Sequence, residues 1–144
     1  MKLTNYTDYS LRVLIFLASR PSEELSNIKE IADTYSISKN HLMKVIYRLG
    51  QLGYVETIRG RGGGIRLGMI PEDINIGEVV RNTEDDFNIA ECFDSQKNLC
   101  IISPACNLKN LLYEALQAYL AVLDKYTLRD LVKNKEEIMR LLRS

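Results

Sequence analysis

Three cysteines, Cys92, Cys100 and Cys106, fall within fifteen consecutive residues. Seven residues separate the first pair and five the second. This is neither the C-x-x-C knuckle of structural zinc nor the tight cysteine run of a bacterial ferredoxin. Thiolates are soft ligands that select zinc, copper(I) or iron–sulfur clusters. Three of them on one loop can close on a metal, leaving a fourth position for another residue or an external ligand. Spacing alone does not separate zinc from a cluster. An odd, clustered set in a chain expected to be cytoplasmic argues against a disulfide framework.

A second set of residues suits a polyanion. Ser38, Lys39, Asn40, His41, Lys44 and Arg48 lie largely off the apolar stripe of their segment. Lysine and arginine serve guanine or phosphate, and asparagine serves adenine. Downstream, Arg59-Gly60-Arg61-Gly62-Gly63-Gly64 sets Arg59 and Arg61 among glycines. Without Cβ atoms the backbone can approach closely, and an arginine can enter a narrow minor groove. The run is not a nucleotide phosphate loop, because Ile65-Arg66 stands where Lys-Ser/Thr is required. A dinucleotide fingerprint fails too, because a strand follows where a helix is needed. The zero net charge hides a split. Residues 1–70 carry ten Lys/Arg and six Asp/Glu, net +4, and residues 71–144 carry nine and thirteen, net −4. The basic half is the one expected to meet a polyanion.

The elements that must position these groups follow from periodicity and punctuation. Leu11, Leu14, Ile15 and Ala18 mark a first helix, with Thr7 or Asp8 at its cap or first turn. Asn27 and Glu30 predict a capped second helix with Ile28, Ile31 and Ala32 inward. Ser38 predicts the N-cap of a third, Lys39 to about Gln51, burying Leu42, Val45, Ile46 and Leu49. Tyr54–Ile58 and Ile65–Leu67 read as a hairpin around the glycine-rich tip. A short helix carries Ile76, Val79 and Val80, and residues 84–106 read as an irregular acidic loop. A long helix over 107–126 offers Leu108, Leu111, Leu112, Ala115, Tyr119, Leu120, Val122 and Leu123. A final helix, starting near Thr127, carries Leu131, Ile138, Leu141 and Leu142. The fold class is mainly α, a winged helix-turn-helix DNA-binding domain with a long C-terminal helix. Three parts are expected: 1–84 for DNA binding, 85–106 as a cysteine-containing loop, and 107–144 as the long helix, to which the resemblance below assigns dimerisation, and the C-terminal helix.

Other classes fit less well. The only histidine, His41, stands on the recognition face, and no paired carboxylates mark a pocket, so an enzyme is not expected. An electron carrier explains the cysteines but neither the wing nor the basic helix. A zinc- or thiol-based DNA-binding redox sensor keeps the fold and changes the chemistry. No apolar run approaches the roughly 18–20 residues of a membrane span, and no secretory leader is evident.

With these residues in view, the chain resembles the winged-helix iron–sulfur regulators of the Rrf2 family over essentially its whole length. The matching stretches are Thr7-Asp8-Tyr9-Ser10-Leu11-Arg12, Ile37 to Leu42, Gly53 to Leu67, Ile76 to Val80, and the three cysteines. The resemblance implies a cytoplasmic homodimer paired through the long helix, bound to a palindromic double-stranded DNA operator. It implies an iron–sulfur cluster on Cys92, Cys100 and Cys106, as [4Fe-4S], with [2Fe-2S] as the alternative. One branch of the family adds a histidine three positions after the third cysteine, where this chain has Lys109, a poor ligand as an ammonium. The nitric-oxide-responsive branch uses an aspartate from the first helix of the partner subunit, and Asp8 occupies that place. The implied function is a repressor whose effector is nitric oxide. A regulator of iron–sulfur supply or redox state is the alternative within the family. Read from the residues alone, Glu78, Glu84, Asp85 and Asp86 are alternative oxygen donors, and Asp8 is a first-turn acid complementing a helix dipole.

Overall fold

A computed structural model describes residues 1–143. Helix α1 (Asn5–Ala18) begins earlier than expected. Thr4, not Thr7 or Asp8, is the N-cap, its hydroxyl accepting the Thr7 N–H. Thr7 and Asp8 sit in the first turn, the second of the two places expected for them, and Asp8 is its only acid.

The second helix, α2 (Ile28–Tyr35), is capped by Asn27, whose side chain accepts the Glu30 N–H at 2.7 Å. The reciprocal half of the expected capping box is not made: the Glu30 carboxylate pairs with Arg20 instead. Ser36 closes α2 in the left-handed region at φ 56°, and two residues later Ser38 caps α3 (Lys39–Gln51) by accepting the His41 N–H. This tight turn fixes the crossing of α2 and α3. It drives Leu42, Val45, Ile46 and Leu49 into the core, as their spacing predicts.

Strands β1 (Val55–Ile58) and β2 (Gly64–Leu67) pair antiparallel, Val55 opposite Leu67 and Ile58 opposite Gly64. Gly60 (φ 95°) and Gly62 (φ 75°) turn the tip in a region that other residues adopt only with strain. Ser26 bridges Ile65 through two backbone hydrogen bonds, which ties the wing to the start of α2.

Helix α4 (Ile76–Thr83), capped by Asn75, leads into residues 84–106, an irregular stretch interrupted by two 3₁₀ turns. Helix α5 (Asn107–Asp124) follows. The expected single last helix is two: α6 (Leu128–Leu131) and α7 (Lys135–Leu142). The break falls where Val132 turns into the core at 5% exposure and leaves helical geometry.

The main core gathers around α1. Val13, Leu14 and Phe16 meet Ile31, Leu42, Val45, Leu49, Ile65, Val79 and Leu128, all at or near zero exposure. A second, smaller cluster joins Val80 of α4 to Leu116 and Leu120 of α5, with Leu3, Phe87 and Phe93 packed on it. Leu116, which the helical stripe read from sequence does not include, is one of only two buried residues of α5 among those described. Most of the apolar stripe expected there, including Leu108, Leu111, Tyr119 and Val122, is exposed.

Candidate nucleic-acid interface and three-thiol segment

Helix α3 presents its N-terminal half outward. Ser38, Lys39, Asn40 and Lys44 are exposed, while His41 and Arg48 are half-buried. The difference has a local cause. His41 leans on α1, its ring 4.9 Å from the Tyr9 ring at an interplanar angle of 67°. The Tyr6 hydroxyl, also from α1, donates to the Lys44 carbonyl. Burial raises the Tyr6 phenol above its usual value, and the nearby Arg48 cation partly offsets the rise. Arg59 and Arg61 stand exposed at the wing tip. Two further residues of α3, which sequence reasoning missed, are also exposed: Met43 at 48% and Tyr47 at 70%.

Asp8 lies one turn into α1, where Arg12 holds it bidentately with the Nε–Nη2 edge of its guanidinium. Nε is 3.1 Å from Oδ1 and Nη2 is 2.9 Å from Oδ2. The same guanidinium stacks over the rings of Tyr9 and Tyr35, 5.6 and 5.7 Å from their centroids. The Tyr35 hydroxyl donates to the Arg12 carbonyl at 3.2 Å. Burial holds its phenol above the usual value against the pull of Arg12. Asp8, Arg12, Tyr9 and His41 thus form one continuous line from the start of α1 to α3. The i,i+4 spacing of Asp8 and Arg12 was the available sequence signal for its first link.

Glu84, an alternative oxygen donor in the sequence, is otherwise engaged. Its carboxylate accepts the Thr4 N–H at 3.1 Å and the hydroxyls of Thr4 and Thr7. Thr83 donates to the Val79 carbonyl, and its hydroxyl lies 3.0 Å from that of Thr7. The network fastens the start of α1 to the end of α4. The Asp86 carboxylate accepts the Asn88 N–H in a local turn.

The three cysteines are free thiols; Cys92 and Cys106 are half-buried and Cys100 is exposed. Cys106 is the N-cap of α5, its sulfur accepting the Lys109 N–H at 3.4 Å. Around Cys92 and Cys100 the backbone is held by local bonds: Leu99 N–H to Glu91, Cys100 N–H to Asn98, and Gln96 N–H to Asp94. Among the described residues, no three His, Cys, Asp or Glu side chains converge as a metal site. The donor set fits a soft metal or cluster, three thiols on one segment. Its convergence requires that segment to close, as is usual where binding and ordering are coupled. No helix of the described residues is long and apolar enough to cross a membrane.

The chain has relatives of known class. The Rrf2 family model, described as an iron-dependent transcriptional regulator, matches residues 3–134. The HTH-type transcriptional regulator NsrR of Bacillus subtilis (strain 168) is 85% identical over 143 residues, 99% of this chain and 98% of the relative. A protein of the same name from Bacillus licheniformis is 72% identical and covers 99% of each chain. Of solved structures, the oxidized form of Staphylococcus aureus CymR superimposes with a TM-score of 0.76 at 26% identity, covering 92% of this chain and 97% of that one. T. potens IscR gives 0.73 at 25% identity, covering 96% and 90%.

Proposed function

Because the chain belongs to the Rrf2 family of transcriptional regulators, not to a class of enzymes, we propose that it is a homodimeric repressor that responds to nitric oxide through an iron–sulfur cluster, a [4Fe-4S] one. Cys92, Cys100 and Cys106 are the thiolate ligands in this reading, and Asp8 of the partner subunit supplies the fourth. Held by these residues, the cluster would supply an iron site reactive toward a small diatomic, and Asp8, a hard oxygen donor, would be its most weakly matched ligand.

The observation that carries the reading is the line from Asp8 through Arg12 and Tyr9 to His41. Arg12 takes one lone pair on each Asp8 oxygen, and coordination would draw on the same two oxygens, so a bound iron and Arg12 compete for the charge of one carboxylate. The full pair with Arg12 is the arrangement that this reading assigns, once iron is let go, to the carboxylate. Withdrawn, it leaves the guanidinium to its two tyrosines and changes what holds Tyr9 against α3. Tyr9 and Tyr6 together set the recognition helix, so the state of Asp8 biases its position. Such a bias regulates DNA only through a difference in affinity between the two states.

In the DNA-bound dimer, two copies of α3 enter successive major grooves about one helical turn apart. Ser38, Lys39, Asn40, His41, Lys44 and Arg48 face the duplex, and Arg59 and Arg61 follow the minor groove from the wing. Pairing runs through the exposed stripe of α5, where Leu108, Leu111 and Val122 have no cover in one chain.

Iron, sulfide and zinc analysis of anaerobically purified protein, with a visible spectrum, tests the cofactor. A brown protein with about four iron and four sulfide per subunit is expected. A colourless protein with zinc and no sulfide points instead to a thiol- or zinc-based regulator, and the DNA-binding half of the reading survives.

A further inference from the structure

Met43 sits in the middle of the outward face of α3, yet it is apolar and 48% exposed. It is not a core residue: Leu42, Val45, Ile46 and Leu49 fill that role at 4% exposure or less. Four residues before it is Lys39 and four after is Tyr47, so the three form one stripe of the helix. Met43 and Lys39 also line a cleft of about 530 Å³ between α3 and the wing, with Thr57, Ile58 and Gly60 on the far side. A face made only to bind phosphate has no use for an apolar side chain at its centre. In the major groove the one apolar group on a base edge is the thymine 5-methyl.

We propose that Met43 is a specificity residue that packs its thioether on the 5-methyl of one thymine in each half-site. The proposal rests on the DNA-binding reading above. Lys39 on the same stripe supplies the neighbouring polar contact. The unbranched methionine chain is flexible enough to follow the methyl into the groove. Burying one methyl is worth roughly fourfold in affinity per half-site.

The test uses the full chain, purified anaerobically, and a duplex selected by it from a randomised pool. Each thymine of that duplex is replaced in turn by deoxyuridine, which removes only the methyl. One thymine per half-site is expected whose replacement weakens wild-type binding about fourfold. Met43→Ala should bind the thymine and deoxyuridine duplexes equally, and Met43→Leu should restore most of the difference. Melting temperatures confirm that both variants fold. A selected duplex with no methyl-sensitive thymine overturns the assignment, as does equal sensitivity in Met43→Ala. A pool that yields no preferred duplex overturns the DNA-binding reading and this assignment together.

Discussion

His41, in the recognition helix, rests edge-on against Tyr9 of α1, ring centroids 4.9 Å apart and planes at 67°. Tyr9 is in turn one of the two rings over which Arg12 lies while it holds Asp8. A candidate ligand and a candidate base-reading residue are therefore joined through only two side chains, Arg12 and Tyr9.

Tyr9→Leu breaks that line without touching either end. Iron content is expected to stay at the wild-type level. The ratio of DNA affinities without and with nitric oxide should shrink, roughly two- to tenfold, the worth of an aromatic pair. Binding isotherms on one duplex under both conditions measure it, and an unchanged ratio removes Tyr9 from the coupling.

Asp8→Asn separates a ligand role from a structural one. The Asp8–Arg12 pair is 41% exposed on both sides, so its loss should cost at most about 1 kcal/mol of stability. Iron should nevertheless leave the variant faster when a chelator is added anaerobically. Equal rates in variant and wild type retire the ligand role.

Arg61→Ala should weaken DNA binding. It should also flatten the dependence of log affinity on log salt by about 0.9 for each phosphate that the arginine neutralises. Preserved affinity at matched salt would show that the wing tip does not enter the groove.

Leu111→Glu places a charge on the exposed stripe of α5, where Leu111 is 58% accessible and supports no core. The variant should fold and sediment as a single 16.5 kDa chain, with the wild type at twice that mass. A dimeric variant would move the pairing surface elsewhere.

The winged helix-turn-helix was legible because its signals are local. Asn27 and Ser38 are caps, and Leu42 to Leu49 follow the helical period. Glycines mark the hairpin tip, where Gly60 and Gly62 adopt positive φ. What escaped depended on chain neighbours far apart in sequence. The Glu84 carboxylate, eighty residues away, fastens the start of α1 through Thr4. Glu30 reads as half of a capping box, but Arg20 competes for its carboxylate. The break at Val132 also escaped, because it depends on burial in the folded chain and not on a helix stop signal. Among the site residues, His41 reads as a free polar group, but it is half-buried with its ring against Tyr9 of α1. Met43 lies off the buried stripe by its period, but an apolar side chain there carries no sign of a polyanion contact, so charge and hydrogen-bonding chemistry passed over it.

Titration of the DNA complex with nitric oxide tests the central claim most directly. Anaerobically purified protein, its iron and sulfide counted, is bound to its selected duplex while the visible spectrum and the bound fraction are followed together. The account predicts that both change over the same range of added nitric oxide, and that Asp8→Asn shifts the range or blunts the response. A complex that stays intact while the spectrum changes, or a protein with no iron whose binding ignores nitric oxide, would contradict it.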